Sequence, residues 1–160
     1  MIFITLGSQK FQFDRLLKKL DEMKAAGVIT DEIFAQTGFS TYQPEHFKTQ
    51  DFMDRDTFAA HMAQADMVIT HAGTGAIIGA VKQGKKVIAV PRLSKYGEHV
   101  DDHQTQIVEQ FSQMQIIEPC WDTEDLPTAY QAATEKTYTP YTSNTHTIIG
   151  DIKNYLEKIL

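Results

Sequence analysis

Met67-Val68-Ile69-Thr70 runs directly into His71-Ala72-Gly73-Thr74-Gly75, and a helical stretch at 75–83, stopped by Gly84, leads on to Val87-Ile88-Ala89-Val90 and Pro91. Two apolar runs of strand length joined by a glycine turn and a helix form a βαβ unit. Neither run alternates apolar with polar residues, so both are expected at the centre of a parallel sheet covered on both faces.

The flanking sequence repeats this pattern. Upstream, residues 2–6 read as a strand closed by Gly7, and 13–26 as a helix with Leu16, Leu17, Leu20 and Met23 at helical spacing and Gly27 behind it. Residues 33–36 and 47–52 read as two more strands, and 54–65 as a helix that Asp54 or Asp56 is placed to cap. Downstream, a helix is expected at 98–111, a short sixth strand at 115–117 and a helix at 124–136. Pro140 then opens a possible hinge, 140–144. A terminal helix at 144–160 carries Ile148, Ile149, Ile152, Tyr155, Leu156 and Ile159 on one face, a stripe suited to packing on its own domain or docking on a partner. The expectation is one α/β domain over 1–160, a Rossmann-like parallel sheet of about six strands with helices on both faces.

Composition narrows the class. The chain has 160 residues, 42% hydrophobic and 22% charged, which excludes disorder and fibrous repeats. A formal net charge of -6 argues against sequence-independent nucleic-acid binding, which calls for a basic protein. The one cysteine, Cys120, has no internal disulfide partner and no basic neighbour in sequence, so it reads as a small packed residue in a reducing compartment. No run approaches the ~20 residues of a membrane span and no targeting leader is visible, so a soluble chain is expected, held at any membrane by another component.

Ligands of such sheets bind at the carboxyl ends of the strands, which here are the loops 7–11, 36–42, 52–54, 71–75 and 92–102. The turn 70–75 reads either as a phosphate cradle at a helix N-terminus or as a tight turn, and Gly7-Ser8-Gln9 offers a second such cradle at the same edge. Gly73-x-Gly75-x-x-x-Gly79 is one residue too long for the dinucleotide fingerprint and follows the wrong strand, and no Walker A motif occurs; both points argue against a dehydrogenase or P-loop enzyme. Lys82, Lys85, Lys86, Arg92 and Lys95 form a basic run. Arg92 and Lys95 fall on the ligand side, where a phosphate is within reach, and the other three on the opposite side, solvated or at a membrane surface. Glu98-His99-Val100-Asp101-Asp102-His103-Gln104 admits four readings: a metal site on His99 and His103 with Asp102, a histidine base with an acidic partner, a grip on sugar hydroxyls, or a polar helix start. Asp54-Arg55-Asp56 resembles a metal-nucleotide signature but opens a helix, where capping accounts for it.

Thr70-His71-Ala72-Gly73-Thr74-Gly75-Ala76-Ile77, Gly84-Lys85-Lys86-Val87-Ile88-Ala89-Val90-Pro91-Arg92, Gly97-Glu98-His99 and Asp102-His103-Gln104 together resemble the C-terminal domain of glycosyltransferase family 28, the nucleotide-sugar half of a GT-B fold. Leu6-Gly7-Ser8-Gln9 and Gln36-Thr37-Gly38 fit as well. The chain is similar to stand-alone halves of two kinds. One is the soluble subunit of the two-chain enzyme that adds the second N-acetylglucosamine to a dolichol-diphosphate acceptor; the other is the capsule and exopolysaccharide subunit, often a β-1,4-galactosyltransferase. The resemblance implies that Gly7, Ser8, Gly73, Thr74 and Gly75 hold a UDP diphosphate, that Phe52 and Met53 border the uracil, and that Glu98, His99, Asp102, His103 and Gln104 meet the donor sugar. It implies inverting transfer of galactose or N-acetylglucosamine to a lipid-linked saccharide without a metal or other cofactor. It also implies a cytoplasmic chain recruited to the membrane by an acceptor-binding partner subunit. The base commonly comes from that missing half, with His71 and His99 as internal candidates. Gly79 stands where the family often has a glutamate on the ribose, a departure that favours the alternative of a non-catalytic nucleotide-sensing or scaffolding module.

Overall fold

A computed structural model describes residues 1–7, 10–99 and 101–140. Six strands run in chain order as β1 (Ile2–Thr5), β2 (Ile33–Gln36), β3 (Lys48–Gln50), β4 (Met67–His71), β5 (Lys86–Val90) and β6 (Glu118–Pro119). Between and after them lie α1 (Asp14–Ala25), α2 (Arg55–Gln64), α3 (Thr74–Lys82), α4 (His103–Gln113) and α5 (Leu126–Glu135). The strands form one sheet in the order β3-β2-β1-β4-β5-β6, and every pairing is parallel. Strand β1 has β2 on one side and β4 on the other, so the winding reverses between β1 and β4 and their carboxyl ends frame a crevice.

The strand period of two sorts the core into halves. Ile2 and Ile4 of β1, Ile69 of β4 and Ile88 and Val90 of β5 pack on Leu16, Leu17 and Leu20 of α1 and on Leu126 and Ala133 of α5. Phe3, Val68, Val87 and Ala89 face the other way, onto Met62 of α2, Ile77 and Ala80 of α3 and Val108 and Phe111 of α4. Both faces are therefore covered, as the unbroken apolar runs require. Asp54 does cap α2, its carboxylate accepting from Thr57 N at 2.7 Å. Cys120 is buried and its thiol is pushed up to about 12, chiefly by burial, so it is an inert packing residue.

Two expectations shift. The sixth strand forms at Glu118–Pro119 and not at 115–117. Gln115 leaves α4 with a φ of 59°, so Ile116 and Ile117 turn into the core before the chain pairs with β5 through Ile88 and Ala89. The helix expected at 98–111 begins only at His103. Ahead of it Ser94–Tyr96 makes a 3₁₀ turn, and the Glu98 and Asp102 carboxylates accept from the backbone nitrogens of Leu93 and Ser94, which holds this segment as a loop. His99 and His103 consequently do not share a helix face. The expected terminal helix, and all of the expected hinge except Pro140, lie outside the described residues. Among the described residues no helix is long and apolar enough to cross a membrane.

The loop between β2 and β3 is clipped to α1 by two aspartates. Asp14 accepts from Thr41 N and Tyr42 N at 2.7 and 2.8 Å. Buried Asp21 accepts from Tyr42 Oη at 2.7 Å, from the Glu45 and His46 backbone nitrogens, and pairs with His46 Nδ1 at 2.9 Å. Burial works against the Asp21 charge, but these hydrogen bonds outweigh it and hold the carboxyl below its ordinary range. Alanine at position 21 strands the donors, and urea unfolding of Asp21→Ala is expected to show a loss of about 3 kcal/mol. A loss below about 1 kcal/mol would mean that water replaces the carboxylate at little cost.

Candidate functional site

Two glycine turns meet on one imidazole. Gly7, two residues past β1, has a φ of 72°, and Gly73 is the N-cap of α3. A Cβ at Gly7 would lie 2.6 Å from His71 Nε2, and one at Gly73 would come nearer still to His71 Cε1. No side chain fits at either position while the ring stays in place. Gly38, after β2, backs onto the same turn: at a φ of 58°, a Cβ there would lie 2.9 Å from Gly7 O. Position 73 is thus glycine for close approach, and 7 and 38 for close approach and a left-handed backbone.

His71 is 7% exposed. Burial above all, then the positive charge of Arg92 and the proximity of His99, push its ring down to about 3, so it is neutral at ordinary pH. Gln104 fixes the tautomer. Its Oε1 accepts from Arg92 N at 3.0 Å, which turns its amide nitrogen toward His71 Nδ1 at 3.5 Å. Nδ1 is therefore the acceptor, and Nε2 carries the proton between the two glycine turns. The first turn of α3 has no side-chain cap and no acidic residue, so its backbone N–H groups and the helix dipole face the same place.

Beside this junction opens a cleft of about 290 Å³ lined by His71, Ala72, Gly73, Thr74, His99, Asp101, His103, Gln104 and Ile107. Asp101 is the residue that sequence reasoning missed. Its Oδ1 lies 3.2 Å from His99 Nδ1 and its Oδ2 3.6 Å from His103 Nε2, so it links the two histidines. The expected helix would have put Asp101 off the His99/His103 face; the loop puts it between them. The His99 ring rests against Phe11 with centroids 5.3 Å apart. Among the described residues no group of three His, Cys, Asp or Glu side chains is arranged to hold a metal ion.

Other residues singled out from the sequence are placed differently. Arg92 is 1% exposed and presents nothing to solvent; its guanidinium donates to the backbone oxygens of Leu6, Phe11 and Glu98. Glu98 is fully buried, its carboxylate taken by Arg15 at 2.9 and 3.0 Å and by Leu93 N at 3.0 Å, so neither residue is available for direct contact with a phosphate or sugar. Asp102 is exposed and spends Oδ1 on Ser94 N. Lys95 lies over the Tyr96 ring at 5.0 Å. Phe52 stands apart at the end of β3 in an edge-to-face pair with Phe39, centroids 5.2 Å apart, and Met53 packs partly into the core. Gly75 is exposed in the first turn of α3, and Gly79 lies one turn further on. Ser8 lies outside the described residues. His71 also departs from its expected role as base, since a ring held neutral by burial takes up no proton near neutral pH, leaving His99 as the internal candidate.

A six-stranded, doubly wound parallel sheet with glycine turns at its switch point defines a GT-B-like α/β domain, and solved structures of that class match it. The kitacinnamycin glycotransferase superposes with a TM-score of 0.62 at 16% identity, covering 98% of this chain and 39% of that one. A solution structure of ALG13 gives 0.62 at 19% identity and covers 91% of each chain. The chain belongs to glycosyltransferase family 28, its residues 1–158 matching the family's C-terminal domain. It is also 26% identical over 106 residues to the UDP-N-acetylglucosamine transferase subunit ALG13 of Mus musculus; that match takes in 61% of this chain and only 9% of the relative.

The depressed His71 makes stability depend on pH. Below the ordinary histidine value of 6.5 the unfolded chain binds a proton at His71 that the folded chain refuses until about 3, so stability present above 6.5 drains away as the pH falls through that window. The Tm is expected to drop between about pH 7 and about pH 5, with a shallower slope in His71→Asn. Equal slopes would show that the ring is protonated without unfolding.

Proposed function

We propose that this chain is the donor-binding catalytic subunit of an inverting glycosyltransferase that takes a UDP-sugar. The observation that carries the reading is the junction of the Gly7 and Gly73 turns on neutral His71, with the uncapped N-terminus of α3 beside it. Backbone N–H groups, the helix dipole and His71 Nε2–H all offer donors to an anion, as a diphosphate leaving group requires. In the reaction a base, His99 or a group of the partner chain, takes the proton of the acceptor hydroxyl as its oxygen bonds to the sugar carbon; the bond from that carbon to the diphosphate breaks, and UDP leaves with the electron pair. These donors stabilise its charge, so the transfer needs no metal. Thr74 and Gly75 would meet the phosphates, and His99, His103 and Gln104, with Asp101 behind them, would meet the sugar. The exposed Phe39–Phe52 pair is suited to border the base.

The sugar is a hexose, galactose or N-acetylglucosamine, and the acceptor a lipid-linked saccharide of capsule or exopolysaccharide synthesis. The family resemblance supports this finer reading. Because the relative is itself named a subunit, a membrane-associated second chain is proposed to supply the acceptor site and to hold this cytoplasmic chain at the membrane. Gly79 favours a second reading, a nucleotide-sensing module without turnover.

Calorimetric titration with UDP is expected to show micromolar binding, equal in EDTA and in magnesium. A Cβ at Gly75 meets nothing within 4 Å, so Gly75→Glu is expected to fold and, by placing a carboxylate at the helix N-terminus, to abolish binding. Unchanged affinity in that variant would remove the diphosphate from this junction. Binding without sugar transfer by the reconstituted pair would favour the sensing module.

A further inference from the structure

The most unusual buried group of the described residues is the Arg92 side chain. It meets three backbone oxygens and the face of Phe13, with its guanidinium carbon 5.4 Å from the ring centroid, and no carboxylate. Its Nε is buried without a hydrogen-bond partner among the described residues. The nearby acid, Glu98, gives both carboxylate oxygens to Arg15. Asp122 also stands 3.9 Å from Arg15, so the carboxylates of this cluster pair with Arg15, and the buried Arg92 guanidinium has no carboxylate in contact. Burial pushes Arg92 down only to about 10, against the opposing pull of Glu98, so it stays charged. The charge is held close to the glycine turns: Arg92 donates to Leu6 O, the carbonyl just before Gly7, and its field acts on His71, against which both turns pack.

We propose that Arg92 is a positioning and electrostatic residue for the diphosphate, which it serves without touching it: it brackets the β1–α1 loop to the β5–α4 loop and holds a buried cation, with no carboxylate in contact, under the anion cradle. This rests on the UDP-sugar reading above. Several features favour it. A guanidinium suits the place because its fork satisfies carbonyls of both loops at once and its charge is lost only at high pH. In a water-poor interior the field of one charge reaches a neighbouring anion with little screening. Glu98 is the carboxylate whose pull opposes the Arg92 charge, so removing it would strengthen the field at the cradle, and substitutions at 92 and 98 act with opposite sign.

The test compares affinities for UDP and for uridine, which lacks phosphates, by NMR titration of the full chain. Arg92→Met is expected to lower UDP affinity about tenfold and leave uridine affinity unchanged. Arg92→Lys keeps the charge and is expected to keep the UDP-to-uridine ratio, even if it melts earlier. Glu98→Gln is expected to raise the ratio, which also decides the matter should Arg92→Met fail to fold. A purely structural Arg92 would lower UDP and uridine affinity by one common factor, and that result, or a ratio that falls in Glu98→Gln, overturns the proposal. If the wild type binds inorganic pyrophosphate but not UDP, the UDP-sugar reading falls and the same variants decide the inference by their pyrophosphate affinities. If it binds neither, both fall.

Discussion

The ring of His71 sits where the end of β4 meets the turns that follow β1 and open α3, and the arrangement of the site depends on it. An imidazole in that place forbids side chains at Gly7 and Gly73, so two stretches of backbone approach to within van der Waals distance of one small ring. The ring keeps this role because it is uncharged: a cation there would be buried beside Arg92 with no carboxylate to answer it. Gln104 completes the arrangement from α4 by choosing the tautomer. Strands β1 and β4, helix α3 and helix α4 are thus tied to a single group, and that group faces the crevice at which the sheet reverses its winding.

Beneath this junction the fold buries a small cluster of charges, an expensive choice in a domain of this size. Arg15 reaches from α1 to Glu98, and Arg92 reaches from the end of β5 back to the loop before α1. The long segment between β5 and α4 is held by these contacts, by Asp102 and by its one 3₁₀ turn, and not by α-helical hydrogen bonds. The cleft is therefore shaped by polar contacts while the sheet is shaped by apolar ones. Substitutions in the two layers should have separable effects on affinity and on stability.

The sequence was most readable where one physical signal dominated. Met67-Val68-Ile69-Thr70 and Val87-Ile88-Ala89-Val90 had only one place in an α/β sheet, and the paired strands match them to within a residue. The signal failed where local and tertiary demands competed. Gln115-Ile116-Ile117 has strand composition, yet the core claims the two isoleucines and pairing waits for Glu118. The run 98–104 has a helical look, yet the Glu98 and Asp102 carboxylates bond backbone nitrogens of the preceding turn and delay the helix. Asp101 was hidden for the same reason: spacing arguments on a helix separate it from the residues that a loop brings beside it. Arg92 illustrates a different limit, since its place just after β5 could be read from the sequence but its burial is set by Phe13, Phe11 and Leu6, far away in the chain.

The placement of the first strand also bears on how the chain comes to be folded. β1 lies inside the sheet, flanked by β2 and β4, and its register with β4 joins Ile2 to Met67. Its four residues are apolar or buried on both sides, so they have no stable partner set until the chain through β4 exists. Connections of that span are slow to close, because loop entropy is lost before pairing repays it. During synthesis β1 therefore emerges before β4 and settles late, and this interval is when the chain most needs protection from association with other chains.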